Sequence, residues 1–279
     1  MPFPYERYES LAEPLRVFYP TTGEEAQTRW IAQTIDTAGK LLTTLLEQPM
    51  PEMEILLVAS ADWGTAPPED FAEPETDGVN KTLPYWADGT GEKLICAPQA
   101  PLHHAPTLVI PTELDPIVGE PAQEKLAFLL YHELIRAFLE NDPRPWPDEY
   151  PLWADEWQLQ FAAVWLSQQI NGQQGIVTRD LHQKYAEIFE PEEDGKTPMT
   201  VRGFDWYDDT SPEDYLCFDL LLEQFAADLL QHYGPEVLPR FLALYRKDYR
   251  VLLSDDVTEM LGSVLGPGGI EWLEGLVYF

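Results

Sequence analysis

Across Tyr131-His132-Glu133-Leu134-Ile135-Arg136-Ala137-Phe138 the chain sets an imidazole, a carboxylate and a guanidinium within about one turn of a helical pattern. The chemistry at stake is metal-assisted hydrolysis. Two histidines four apart on a helix can both reach one zinc ion, and a Glu directly after the first acts as general base on the metal-bound water. Here His132 and Glu133 stand where the first ligand and the base belong, while Arg136 takes the place of the second imidazole. Its guanidinium is permanently charged and has no lone pair for a cation. The pattern predicts a hydrolase-type helix whose metal site is incomplete, with His132 a vestigial ligand and Glu133 a vestigial general base.

A second acidic signal follows. Pro151-Leu152-Trp153-Ala154-Asp155-Glu156-Trp157 places Glu156 24 residues beyond His132, at the start of a new helical pattern. Each of these residues also has a plainer reading. His132, flanked by Leu126, Phe128, Leu129, Leu130, Leu134 and Phe138, would serve equally as a satisfied core histidine. Glu156 would serve as an ordinary helix-start carboxylate favoured by the dipole. The adjacent His103 and His104 read as an exposed pair or as donors to a displaced metal, and His182 and His232 fall within helical patterns. Cys96 and Cys217 read as small buried hydrophobes. The sequence contains no phosphate-binding Gly-rich loop, no Gly-x-Ser-x-Gly elbow and no Cys-x-x-Cys pair.

The elements that must position these groups are legible in outline. From Thr22 to Gln48, apolar residues from Ala26 to Leu45 recur at helical spacing, with Thr22 a candidate cap and Glu24 and Glu25 in the first turn. Glu54 to Ala59 reads as a short buried strand. The stretch from Trp63 to Asn80 reads as a surface loop. Lys81–Trp86 and Glu92–Pro98 read as a hairpin around Asp88-Gly89-Thr90-Gly91, and Thr107 to Ile110 as a further strand. After Pro111 the character changes to helix: Glu120 to Glu140, a non-helical break at Asp142–Pro147, a helix from Pro151 and another from Pro212 to Tyr233. Two or three short helices end the chain, with Gly234, Gly262 and Gly266 as expected stops. The fold class expected is α+β: an N-terminal lobe over 1–140 with a small sheet, ending in the His132-Glu133 helix, and a mostly helical lobe over 141–279.

With its helix-borne His-Glu pair and the Glu156 segment, the chain resembles the gluzincin, or peptidase MA-like, metallopeptidases. In that zincin-type family a strand-rich lobe precedes a central His-Glu-x-x-His helix, and a second helix opening Pro-x-Trp-x-x-Glu-Gly carries the third zinc ligand, here Glu156. The resemblance extends to Phe225–Gly234, which looks like the family's late helix ending in Tyr-Gly, and upstream to the Thr22–Gln48 helix and Glu54–Ala59 strand. The chain departs from the pattern at Arg136, at Trp157 in place of a Gly, and at Asp219-Leu220, where the family carries an oxyanion-stabilising Tyr. Tyr215 lies about one turn earlier. Asp219 and Glu223, one turn apart, are expected beside the same cleft as Arg136.

What the resemblance implies is a pseudo-peptidase that binds a peptide or protein through the former active-site cleft and holds no cofactor. A bare group of carboxylates in a low-dielectric cleft is costly. Arg136 is therefore expected to pair with Glu156 and with Glu133 where zinc would sit, so that removing it costs about 3 kcal/mol or more. Two other readings stand beside this one: an active zinc peptidase using His132, Glu156 and another histidine, or an acidic module that captures basic proteins.

Composition narrows the field. In 279 residues, 49 are acidic and 17 basic, a formal net charge of -32, while 44% are hydrophobic. Such a chain folds but repels nucleic acid and acidic membrane surfaces, so neither is an expected partner. No apolar run is long enough to span a bilayer. The opening residues lack a basic-then-apolar signal pattern, and two cysteines are too few for a disulfide scaffold. A reduced, cytoplasmic setting is the resulting expectation.

Overall fold

The structure is a computed structural model that describes residues 3–23, 25–67, 82–87, 105–120, 122–191, 197–205 and 210–279. The chain divides into two compact units, Met1–Asn141 and Asp142–Phe279. It is α+β, and among the described residues no helix is long and apolar enough to cross a membrane.

The first unit is built on a mixed sheet of five strands in the order β1-β2-β3-β5-β4: β1 (Tyr8–Leu11), β2 (Val17–Pro20), β3 (Glu54–Val58), β4 (Tyr85–Ala87) and β5 (Thr107–Pro111). β2, β3 and β5 run parallel; β1 pairs antiparallel with β2 at one edge and β4 antiparallel with β5 at the other. Glu-Ile-Leu-Leu-Val and Thr-Leu-Val-Ile-Pro are continuous apolar runs because both faces of the central strands are covered. Leu56, Val58 and Val109 face a layer containing Phe18, Trp63 and Tyr85, while their neighbours Ile55, Leu57, Leu108 and Ile110 are buried as well.

Among the described residues, two α-helices accompany this sheet. Along α1 (Glu25–Leu46), Ile31, Ile35, Ala38 and Leu42 form a buried stripe. In α2 (Gln123–Glu140) burial extends almost round the helix, taking in Tyr131, Glu133, Leu134, Ile135 and Phe138. The described edge strand β4 falls within the expected hairpin and pairs with β5. The expected partner arm, Glu92–Pro98, and the turn at 88–91 lie outside the described residues, as does Glu24. Sequence reading missed the β1–β2 pair.

The second unit is helical: α3 (Trp153–Asn171), α4 (Arg179–Lys184), α5 (Pro212–Tyr233), α6 (Val237–Tyr245), α7 (Ser254–Leu265) and α8 (Gly269–Glu274). α3 packs along α5 and is buried nearly throughout, which is why it shows no amphipathic stripe. α5 begins where Ser211 and Asp214 cap one another's backbone and Pro212 supplies the first turn. Gly234 and Gly266 end α5 and α7 as expected, but Gly262 is no stop. It lies inside α7, where a Cβ would fall 2.2 Å from Ile270 Cδ1, so the glycine permits close approach of α8.

Candidate functional site

The groups of the expected site divide between the two units. His132, Glu133 and Arg136 are on α2 in the first; Glu156, Asp219 and Glu223 are on α3 and α5 in the second.

On α2 the centre of the arrangement is Glu133, a residue 9% exposed. Its Oε1 lies 3.0 Å from His132 Nδ1, and its Oε2 accepts the backbone N–H of Trp86 on β4 at 3.1 Å. Arg136 Nε stands 3.4 Å from the same Oε2. Burial by itself would raise the Glu133 carboxyl, but the Arg136 charge, the His132 bond and the Trp86 N–H outweigh it and hold the group below its ordinary value. Glu133 is thus an ionised acceptor held by a cation, an imidazole and a strand backbone. The pairing of Arg136 with Glu133 is the part of the expected arrangement that falls within one unit.

Arg136 is the residue of this set that departs from zinc-ligand chemistry. His132 Nδ1 faces the Glu133 carboxylate, which leaves Nε2 as the ring's ligating atom. The Arg136 guanidinium, where a second imidazole would stand, brings a fixed positive charge that would repel a cation beside it. Among the described residues no three His, Cys, Asp or Glu side chains come together in a way that could hold a metal. His103, His104 and Cys96 lie outside the described residues.

In the second unit Glu156 is buried in the first turn of α3, next to Asp155. Trp157, which stands where the family pattern has a Gly, is a core anchor. It is fully buried, with edge-to-face contacts to Phe161, Phe225 and Phe241 at ring separations of 5.8, 6.3 and 5.0 Å. Glu223 gives way from a cleft position to a structural one. At 1% exposure, it accepts the N–H groups of Val177 at 2.5 Å and Thr178 at 3.1 Å, the Thr178 hydroxyl, and a bond with His182 Nε2 at 3.2 Å. It thereby fixes the chain entering α4. Asp219 is half-buried one turn earlier on α5. Tyr215 packs near Phe204 and Phe218 at the same helix's start. The Cys217 thiol is pushed up to about 11 by burial, then by Glu213 and Asp214, which makes it a poor nucleophile.

Sequence reading passed over a second polar cluster. Asp155 accepts the Tyr245 hydroxyl at 3.0 Å and is also hydrogen-bonded by Tyr150. Arg246, 1% exposed, lies over the Trp146 ring and donates to the Arg144 carbonyl at 3.2 Å, while Arg144 grips Asp142 in a forked pair. Burial raises the Asp155 carboxyl to about 7 and lowers Arg246 to about 10. The only available signal was the aromatic and charged content of residues 142–150, since the partners at 245–246 are remote in sequence.

Comparison with protein-family descriptions and with curated proteins found no match.

Proposed function

We propose that this chain is a zincin-like pseudo-peptidase, which binds a peptide or protein at the former active-site helix and does not hydrolyse it. The observation that carries the reading is Arg136 Nε at 3.4 Å from Glu133 Oε2. The guanidinium beside Glu133 holds that carboxylate as a neutralised structural acceptor, where a zinc hydrolase needs a base directed at metal-bound water. The order of elements supports the same reading. A strand-rich unit ends in the helix carrying His132 and Glu133, and a helical unit follows whose first helix carries Glu156 in its first turn.

The test is hydrolysis of a mixed peptide library by the full chain with zinc supplied, followed by mass spectrometry. No cleavage above a boiled control, with or without chelator, is the expected result. Chelator-sensitive cleavage lost in Glu133→Gln would establish a working peptidase with another ligand set.

A further inference from the structure

In the first unit a cavity of about 650 Å³ opens where the chain leaves β5, between the starts of α1 and α2. This is outside the carboxyl end of a parallel strand, the usual place for ligands on sheets of this kind. Its volume is that of a small-molecule site, about 300–1,000 Å³. Trp30, Leu114 and Leu126 are half-buried in its lining, whereas Gln27, Glu113 and Gln123 are exposed. The cavity therefore has an apolar floor and a polar rim. None of His132, Glu133 and Arg136 is among the residues that line it.

Charge narrows the ligand. Glu113 is the one ionisable side chain among the described lining residues. Its Oε2 accepts the Ser60 hydroxyl at 3.1 Å, a bond that leaves the carboxylate its charge. The basic residues on the first turns of the two helices are occupied elsewhere. Arg29 Nε bonds Glu25 at 2.9 Å, and the buried Lys125 donates to the Val118 carbonyl at 2.9 Å. Both helix starts would favour an anion, but Glu25 and Glu124 in their first turns offset that preference. The whole-chain charge of -32 points the same way. An indole and a carboxylate lining one cavity suit a cation carried on an apolar body. We infer that this cavity binds a small organic amine, its apolar body on Trp30, Leu114 and Leu126 and its ammonium toward Glu113.

The experiment titrates the full chain with phenethylamine, its neutral isostere phenethyl alcohol and the anionic hydrocinnamate, at about 0.15 M salt to damp long-range attraction. Binding is read by NMR at the Trp30 indole N–H, assigned as the signal missing from Trp30→Phe. The amine should bind at least about fivefold tighter than the alcohol, with the carboxylate weakest. Glu113→Gln should erase the amine's advantage and leave the alcohol's affinity unchanged. Glu271→Gln, the same charge change in the second unit, should leave the advantage intact. Both positions are exposed, and circular dichroism verifies that both variants fold. An equal loss in the two variants would overturn the inference as general attraction to an acidic chain. Equal affinity for amine and alcohol, or no response of the indole to any probe, would overturn it too. Preference for the carboxylate would overturn it in favour of an anion site at the helix starts.

Discussion

The carboxylate of Glu133, in the middle of α2, accepts the backbone N–H of Trp86 at 3.1 Å and so pins the helix to the edge strand β4. In a hydrolase the equivalent carboxylate faces a reacting water, and its removal costs activity rather than stability. Here it is a structural acceptor. Replacing it with alanine orphans a buried N–H and removes one partner each from His132 and Arg136. Glu133→Ala should destabilise by about 2–4 kcal/mol in urea unfolding. A change under about 0.5 kcal/mol, the scale of an ordinary surface substitution, would show that the carboxylate holds nothing together.

Arg136 requires a smaller figure than sequence reasoning gave. Its side chain keeps 30% of its exposure, so water screens the pair with Glu133. Arg136→Leu should therefore cost about 1–2 kcal/mol rather than 3 or more, because some of the charge it leaves behind can be solvated. Denaturant midpoints of the two proteins, at equal slope, would measure it. The same substitution in a Glu133→Gln background should cost clearly less if the two side chains act as a pair.

Acid should expose the Glu133 arrangement. A carboxyl held below its ordinary value of 4.5 adds stability that is fully present above that pH and is lost as pH falls through the lower folded value. Glu133→Gln should flatten the acid limb of the stability curve. An acid limb identical to that of the wild type would contradict the ionised, paired state.

Asp155 should act with the opposite sign. Its folded value, about 7, lies above the ordinary 3.8, so the folded state retains a proton that the unfolded state has released. Its contribution is greatest below the ordinary value and is lost as pH rises through about 7. Melting temperatures should drop between about pH 5 and pH 8 in the wild type. They should drop less in Asp155→Asn, which keeps an acceptor for Tyr245 and Tyr150. Parallel curves for the two proteins would count against a buried, proton-holding carboxyl.

Trp157 offers a check on the second unit. Its full burial among Phe161, Phe225 and Phe241 predicts a loss of about 3–5 kcal/mol for Trp157→Ala, the usual cost of emptying an aromatic core position. A ring lining an open cleft would cost far less. Intrinsic fluorescence during urea unfolding is a direct readout.

Much of the frame was legible because it rests on local pattern. The α1 stripe, the runs that became β3 and β5, and the Pro212–Tyr233 helix were all visible in the order of residue types. The β1–β2 pair was not, since four-residue strands beside Pro14 and Pro20 carry too little periodicity to stand out. The site was legible only where its partners are near in sequence. His132, Glu133 and Arg136 share a helix, but the bond to Trp86 joins positions 47 residues apart, and Tyr245 meets Asp155 across 90. Trp157 and Glu223 have roles hidden from sequence for a related reason: a residue type shows what a side chain can do, while burial decides what it does. Glu223 can line a cleft as well as any carboxylate, yet the N–H groups of Val177 and Thr178 had already claimed it.

Metal content tests the central claim most directly. The chain, expressed with zinc supplied and desalted, would be measured by elemental mass spectrometry alongside Arg136→His. With a guanidinium beside Glu133, the wild type should carry less than about a tenth of an equivalent of zinc, and the histidine variant, regaining the second imidazole, should carry more. Close to one tightly held equivalent in the wild type would contradict the account, showing that the protein completes a zinc site from other donors despite Arg136.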